Sequence, residues 1–107
     1  MNKGDILLIP FPFTDLSGAK NRPALVLISA ENDVTICFIT TQQKWQTEFD
    51  IEIEPSELNG LKKSSLLRLN KIATVDKSLA IGLIGKLDKN HIKRLNEKLI
   101  QLFQIEL

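Results

Sequence analysis

Arg22 stands immediately before Pro23, at the entrance to the apolar run Ala24-Leu25-Val26-Leu27. A planar guanidinium presents several fixed donors, and one held rigidly at a strand head can stabilise negative charge on a phosphoryl group. Taken alone, an arginine at such an edge also reads as a solvated or ion-paired side chain. A second polar group, Thr40-Thr41-Gln42, lies where the apolar run from Val34 to Ile39 gives out. Hydroxyls at a strand exit face either a site or solvent. An unperturbed threonine is a poor base, so its chemistry would be orientation by hydrogen bonding, and its bland role is that of a strand former. The third group runs from Arg68 through Lys71 to Asp76. It supplies two cations and a carboxylate better suited to fixing a loop through an Asx-type turn than to moving a proton. Lys20 adds a further cation two residues before Arg22.

Other chemistries find little support. A two-histidine acid–base mechanism is excluded because the chain has one histidine, and His91 reads as an exposed residue of a helix among Lys89, Asn90 and Lys93. The carboxylates sit on an alternating strand or in separate turns, with no His/Cys ligand spacing, so no catalytic metal is expected. Gly82-Leu83-Ile84-Gly85 lacks the lysine and the helix context of a phosphate loop, so no nucleotide cofactor is expected either.

The elements that must position these residues are mostly strands. Asp5 to Phe11, Ala24 to Ala30 and Val34 to Thr41 are short β-prone runs set off by Gly, Pro, Asn and Asp. Pro10 and Pro12 keep the first from being a regular central strand, and Asp15-Leu16-Ser17-Gly18 supplies turn chemistry before Lys20. Glu31-Asn32-Asp33 predicts a hairpin turn. Strict alternation in Phe49-Asp50-Ile51-Glu52-Ile53 predicts a strand with Phe49, Ile51 and Ile53 in the core and the carboxylates in water. Pro55 to Gly60 predicts one short helical turn closed by Asn-Gly. Ser65 to Leu69, Lys71 to Val75 and Ala80 to Leu87 predict further strands, with a bulge or close backbone approach at Gly82 and Gly85. After Asp88, a good N-cap, Ile92, Leu95, Leu99, Leu102 and Phe103 recur at helical spacing and predict an amphipathic helix docked on the sheet. The expected fold is mainly β with one C-terminal α-helix, closed into a small barrel.

At 107 residues the chain is expected to form a single domain, spanning 1–107, that buries roughly two thirds of its unfolded surface. A net charge of +1 does not announce a nucleic-acid binder, but the charges are segregated. Glu48, Asp50, Glu52, Glu54 and Glu57 form an acidic block, followed by Lys62, Lys63, Arg68, Lys71, Lys77 and Lys86 with Asp76 among them. Each cluster also reads simply as a solvated face. The single cysteine, Cys37, sits in an apolar strand and reads as a buried hydrophobe in a reducing compartment. The folded pattern begins at Met1-Asn2-Lys3-Gly4-Asp5, and no apolar run approaches the ~18 residues of a membrane span, so a cytoplasmic location is expected.

The segment Gly4 to Leu27, with its Pro10-Phe11-Pro12-Phe13 loop and Arg22-Pro23, resembles the N-terminal signature of the PemK/MazF-like toxins of bacterial type II toxin–antitoxin pairs. Ile39-Thr40-Thr41-Gln42 and the segment ending in Thr74-Val75-Asp76 extend the likeness over nearly the whole chain. The resemblance implies an SH3-like barrel and a metal-independent endoribonuclease that cleaves single-stranded mRNA through the 2′-hydroxyl, leaving a cyclic or 3′-phosphate and a 5′-hydroxyl. It implies Arg22 and Thr40 as the catalytic pair. RNA binding falls to Phe13, Lys20, Thr41, Gln42, Trp45, Arg68 and Lys71, with Phe13 and Trp45 offered for stacking. Phe11 and Phe13 are equally suited to anchoring their loop in the core, whereas Trp45, among polar residues, has the better claim to exposure. It further implies a homodimer inhibited by an antitoxin whose acidic, apolar segment is drawn to Lys20, Arg22, Lys62, Lys63 and Arg68. The chain departs from the family at Ala73, where many members carry a cation, and Arg68 or Lys71 could substitute. The alternatives are a toxin of the same fold that inhibits DNA gyrase through its C-terminal helix, or a member that binds RNA with little turnover.

Overall fold

The computed structural model describes residues 1–11 and 20–107; Phe13 and the turn expected at Asp15 to Gly18 lie outside the described residues. Six strands, β1 (Asp5–Phe11), β2 (Lys20–Ser29), β3 (Asp33–Thr40), β4 (Asp50–Ile53), β5 (Ser65–Asp76) and β6 (Gly82–Lys86), precede one helix, α1 (Lys89–Leu102). They form one sheet in the order β4-β5-β3-β2-β1-β6, antiparallel at every pairing. The sheet curls into a half-barrel with α1 across one face, which is the mainly β fold expected.

Both faces of the sheet are apolar. Ile6, Leu25, Cys37, Ile39, Ile51, Leu67 and Leu69 form one cluster, which Ile92, Leu95, Leu99 and Leu102 of α1 complete. On the opposite face Leu7, Ile9, Ala24, Val26, Val34 and Ile36 form a second, with Phe38 and Ala73 against it. Helix α1 begins where the Asp88 side chain accepts the backbone N–H of His91. Phe103, expected in the docked stripe, is instead the C-cap with 58% of its surface exposed. The chain turns away there through Gln104, whose φ is +54°.

The two edge strands, β4 and β6, are joined by the loop that leaves β4. In it the Gly60 N–H bonds the Ser56 carbonyl at 3.0 Å, the single helical turn expected, and the Lys86 N–H donates to the Leu58 carbonyl at 3.0 Å. The expected close approach at Gly85 is present: a β-carbon there would lie 2.3 Å from the Asn59 carbonyl. The ladder of β1 with β6 also shifts register between Ile6 and Leu7.

β1 is flanked by β2 and β6, yet pairing with β6 stops at Leu8↔Gly82, so Pro10 lies where only β2 is its neighbour and the strand is not a regular central one. Other strand expectations change. The two strands expected between Ser65 and Val75 are one. Phe38 faces Arg68 while the preceding Cys37 faces Ile72, so residues 69–71 bulge out of the ladder without ending it. Asp50 departs from expectation as well: it is 6% exposed, its Oδ2 taken by the Thr47 N–H and Arg68 opposite it, whereas Glu52 on the same face of β4 is exposed as expected.

Candidate functional site

Register brings the chemically interesting residues to one face. Phe38 of β3 lies opposite Ala24 of β2 and Arg68 of β5. Side chains alternate along a strand, so Thr40 and Arg22, each two residues nearer a strand end, fall on that same face. Arg22 is itself opposite Ile9, and Phe11 follows two residues later along β1. In a regular strand Arg68 and Lys71 would point to opposite faces; the bulge lets both line one cavity.

That cavity, about 510 Å³, is lined by Phe11, Arg22, Phe38, Ile39, Thr40, Gln42, Arg68 and Lys71. Phe11 and Phe38 meet edge to face, with ring centres 5.2 Å apart and planes at 69°. Thr40 Oγ1 accepts the Gln42 N–H at 3.1 Å, and the Gln42 side chain in turn accepts the Lys44 N–H at 3.1 Å. These bonds fix the strand exit. Beside the cavity Arg68 Nη1 lies 3.7 Å from Asp50 Oδ2. Three cations, a hydroxyl, an amide and two phenyl rings on one open concavity can hold an anionic backbone and stack a planar ring. Arg22 and Thr40 add a means of stabilising charge on one phosphoryl group.

Residues 2–103 match the PemK-like, MazF-like toxins of type II toxin–antitoxin systems. The chain belongs to this family. Comparison with curated protein sequences gave no match. Among solved structures, an endoribonuclease in complex with its cognate antitoxin from a mycobacterial species superposes with a TM-score of 0.79 at 14% identity, covering 100% of this chain and 98% of that one. The toxin MazF-mt6 of Mycobacterium tuberculosis gives 0.78 at 20% identity, over 96% and 99%. MazF of Deinococcus radiodurans gives 0.75 at 20% identity, over 98% and 97%. At such identities the likeness is one of fold.

The remaining candidates of this MazF-like chain lie elsewhere. Thr41, adjacent to Thr40 but pointing away, lines a separate cavity of about 360 Å³ with Leu8, Pro23, Leu61, Lys62, Lys63 and Ile84. Lys20 is exposed opposite Phe11, and Trp45 is 71% exposed with the Lys44 ammonium 5.6 Å from its ring centre. Phe13 falls outside the described residues. Ala73 lies opposite Ile36 against the second apolar cluster. Phe11 and Phe38 are site residues that the sequence reading misses: Phe38 carries a signal, standing two residues before Thr40 on one strand, whereas Phe11 reads as a loop anchor.

Asp76 caps the 3-10 turn Lys77–Leu79 by accepting the Ser78 N–H at 2.8 Å. That bond holds its carboxyl below the usual range, the loop-fixing role expected of it. His91 is half-buried rather than exposed, its Nδ1 2.9 Å from Asp88 Oδ2. Burial pushes the Cys37 thiol up to about 12, which leaves it protonated and inert. Among the described residues no three of His, Cys, Asp or Glu converge as metal ligands, and no helix is long and apolar enough to cross a membrane.

Proposed function

We propose that this toxin is a metal-independent endoribonuclease that cleaves single-stranded RNA at short sequence motifs. The observation that carries the reading is the convergence of Arg22, Thr40, Gln42, Arg68 and Lys71 with two phenyl rings on one open cavity. The RNA supplies its own nucleophile. Its 2′-oxygen bonds to the adjacent phosphorus and the 5′-oxygen leaves, giving a 2′,3′-cyclic phosphate, which opens to a 3′-phosphate, and a 5′-hydroxyl. Arg22 stabilises the charge on the pentavalent phosphorus, and Thr40 orients the phosphate or the 2′-hydroxyl. Gln42, Arg68 and Lys71 hold the strand, and Phe11 and Phe38 offer stacking surface to an unpaired base. Lys20 and Trp45 contact the RNA outside the cavity, and Thr41 and Phe13 are candidate RNA contacts with them.

The reading is supported by family membership and by fold neighbours named as endoribonucleases, one of them bound to its cognate antitoxin. By the same analogy the chain acts in the cytoplasm as a homodimer with RNA grooves at or near its interface. An antitoxin with an acidic, apolar segment competes for Lys20, Arg22, Lys62, Lys63 and Arg68. The test is incubation of a long single-stranded RNA with purified protein in EDTA, comparing wild type with Arg22→Ala. Discrete fragments ending in 5′-hydroxyls, formed about a hundredfold more slowly by the variant, are expected. Intact RNA with the wild type would sink the reading and point to a toxin that acts by binding, such as a gyrase inhibitor.

A further inference from the structure

Asp50 is a buried carboxylate beside an open site. Its side chain is 0% exposed, and Oδ2 accepts the Thr47 N–H at 2.8 Å. The Asp50 N–H returns a bond to the Thr47 carbonyl at 3.2 Å, which fixes the carboxylate to the backbone at the start of β4. Oδ1 is buried with no hydrogen-bond partner among the described residues. A buried charged acceptor left without a donor is destabilising, so its retention calls for a reason. The cation nearest to hand is Arg68, directly opposite Asp50 in the ladder of β4 with β5. Its Nη1 is 3.7 Å from Oδ2, too long for a hydrogen bond, and its side chain is 18% exposed and lines the cavity. Arg68 is thus suspended between a fixed buried carboxylate and the cavity shared with Arg22 and Thr40.

We propose that Asp50 is a positioning residue for Arg68, and that Arg68 is a fork-shaped clamp on an RNA phosphate beside the one Arg22 engages. The inference rests on the reading of the cavity as an RNA site. A guanidinium has five N–H donors in one plane. Closing onto both Asp50 oxygens uses two of them, satisfies Oδ1, and aims the other edge outward at the cavity. A bound phosphate rewards that geometry, because the guanidinium then bridges two anions. Asp50 also sets the plane of the fork, which a lysine at position 68 would lack.

The test is the affinity for a mixed-sequence, single-stranded 2′-O-methyl RNA, which cannot supply the attacking hydroxyl, followed by fluorescence anisotropy across a salt series. Arg68→Gln is expected to weaken binding about tenfold and to make the salt dependence shallower by about 0.7, the increment for one lost phosphate contact on a single strand. Asp50→Asn should weaken binding about fivefold and flatten the salt dependence in the same way. The double variant should bind no worse than Arg68→Gln, since the two act as one unit. Additive losses, or Asp50→Asn binding as tightly as wild type, would overturn the inference while leaving the RNA reading intact. A wild type that binds no RNA would overturn both. Should Asp50→Asn fail to fold, Arg68→Lys decides with Asp50 in place: loss approaching that of Arg68→Gln supports an oriented fork, and wild-type binding refutes it.

Discussion

The Thr40 hydroxyl is already an acceptor, since the Gln42 N–H bonds its Oγ1 at 3.1 Å. One lone pair is therefore committed to the backbone, and the O–H is left to donate into the cavity that Arg22 also lines. A donor that meets a phosphate oxygen or the 2′-hydroxyl matters most as charge moves, so Thr40→Val should lower kcat about thirtyfold with little change in KM, while Thr40→Ser keeps most of the rate. Steady-state cleavage of a labelled single-stranded RNA would check this; a rise in KM at constant kcat would make Thr40 a simple binding residue. That Arg22 and Thr40 share a face was within reach of sequence, because each sits at the end of an apolar run and the runs are joined by a short hairpin. The burial of Asp50 was not. Alternation puts Asp50 and Glu52 on one face, and Glu52 is exposed there; Asp50 is buried by the turn from Thr47, whose N–H its Oδ2 accepts, and by Arg68 across the ladder, contacts that no local pattern shows.

At the scale of elements, the start of α1 rests on a single side chain. Asp88 accepts the His91 N–H at 2.8 Å, and this bond, with the His91 ring close by, holds its carboxyl below the ordinary value of 3.8. A depressed folded value means that the stabilisation is fully present above the ordinary pKa and is lost as the pH falls through the lowered one. Asp88→Ala should therefore cost about 1 kcal/mol at neutral pH, lowering Tm by about 5 °C, with the gap to wild type narrowing below about pH 4. Thermal melts across that range measure it, and a gap unchanged by acid would remove the carboxylate from the account. This helix was legible because a capping residue and a 3.6-residue apolar period agree. The bulge at residues 69–71 was not, since Asn70 between two apolar runs reads equally as a break. Only the ladder with β3 shows that β5 continues and turns Lys71 toward Arg68.

At the scale of the molecule the question is what holds an open, curled sheet in shape when its edge strands do not pair. The loop after β4 does so by laying backbone against β6, and glycine makes the approach possible. At Gly60 φ is +69°, and a β-carbon would fall 2.0 Å from the Ile84 carbonyl oxygen. Neither the conformation nor the space admits a side chain, so the loop would have to lift from β6. Gly82, on the same edge strand, would meet nothing within 4 Å. Gly60→Ala should therefore cost about 3 kcal/mol, whereas Gly82→Ala should stay within about 0.5 kcal/mol. The Lys86 amide, which donates to the Leu58 carbonyl across the junction, should exchange faster in the Gly60 variant alone. Below its melting temperature that variant should retain its kcat for RNA cleavage, because Gly60 does not line the cavity of Arg22 and Thr40. Equal denaturation midpoints for the two glycine variants would show that the edges are held by the cores alone. A large stability loss with kcat preserved would show instead that the clamp keeps the half-barrel curled while the ends of β2 and β3, together with the bulge of β5, hold the site by themselves.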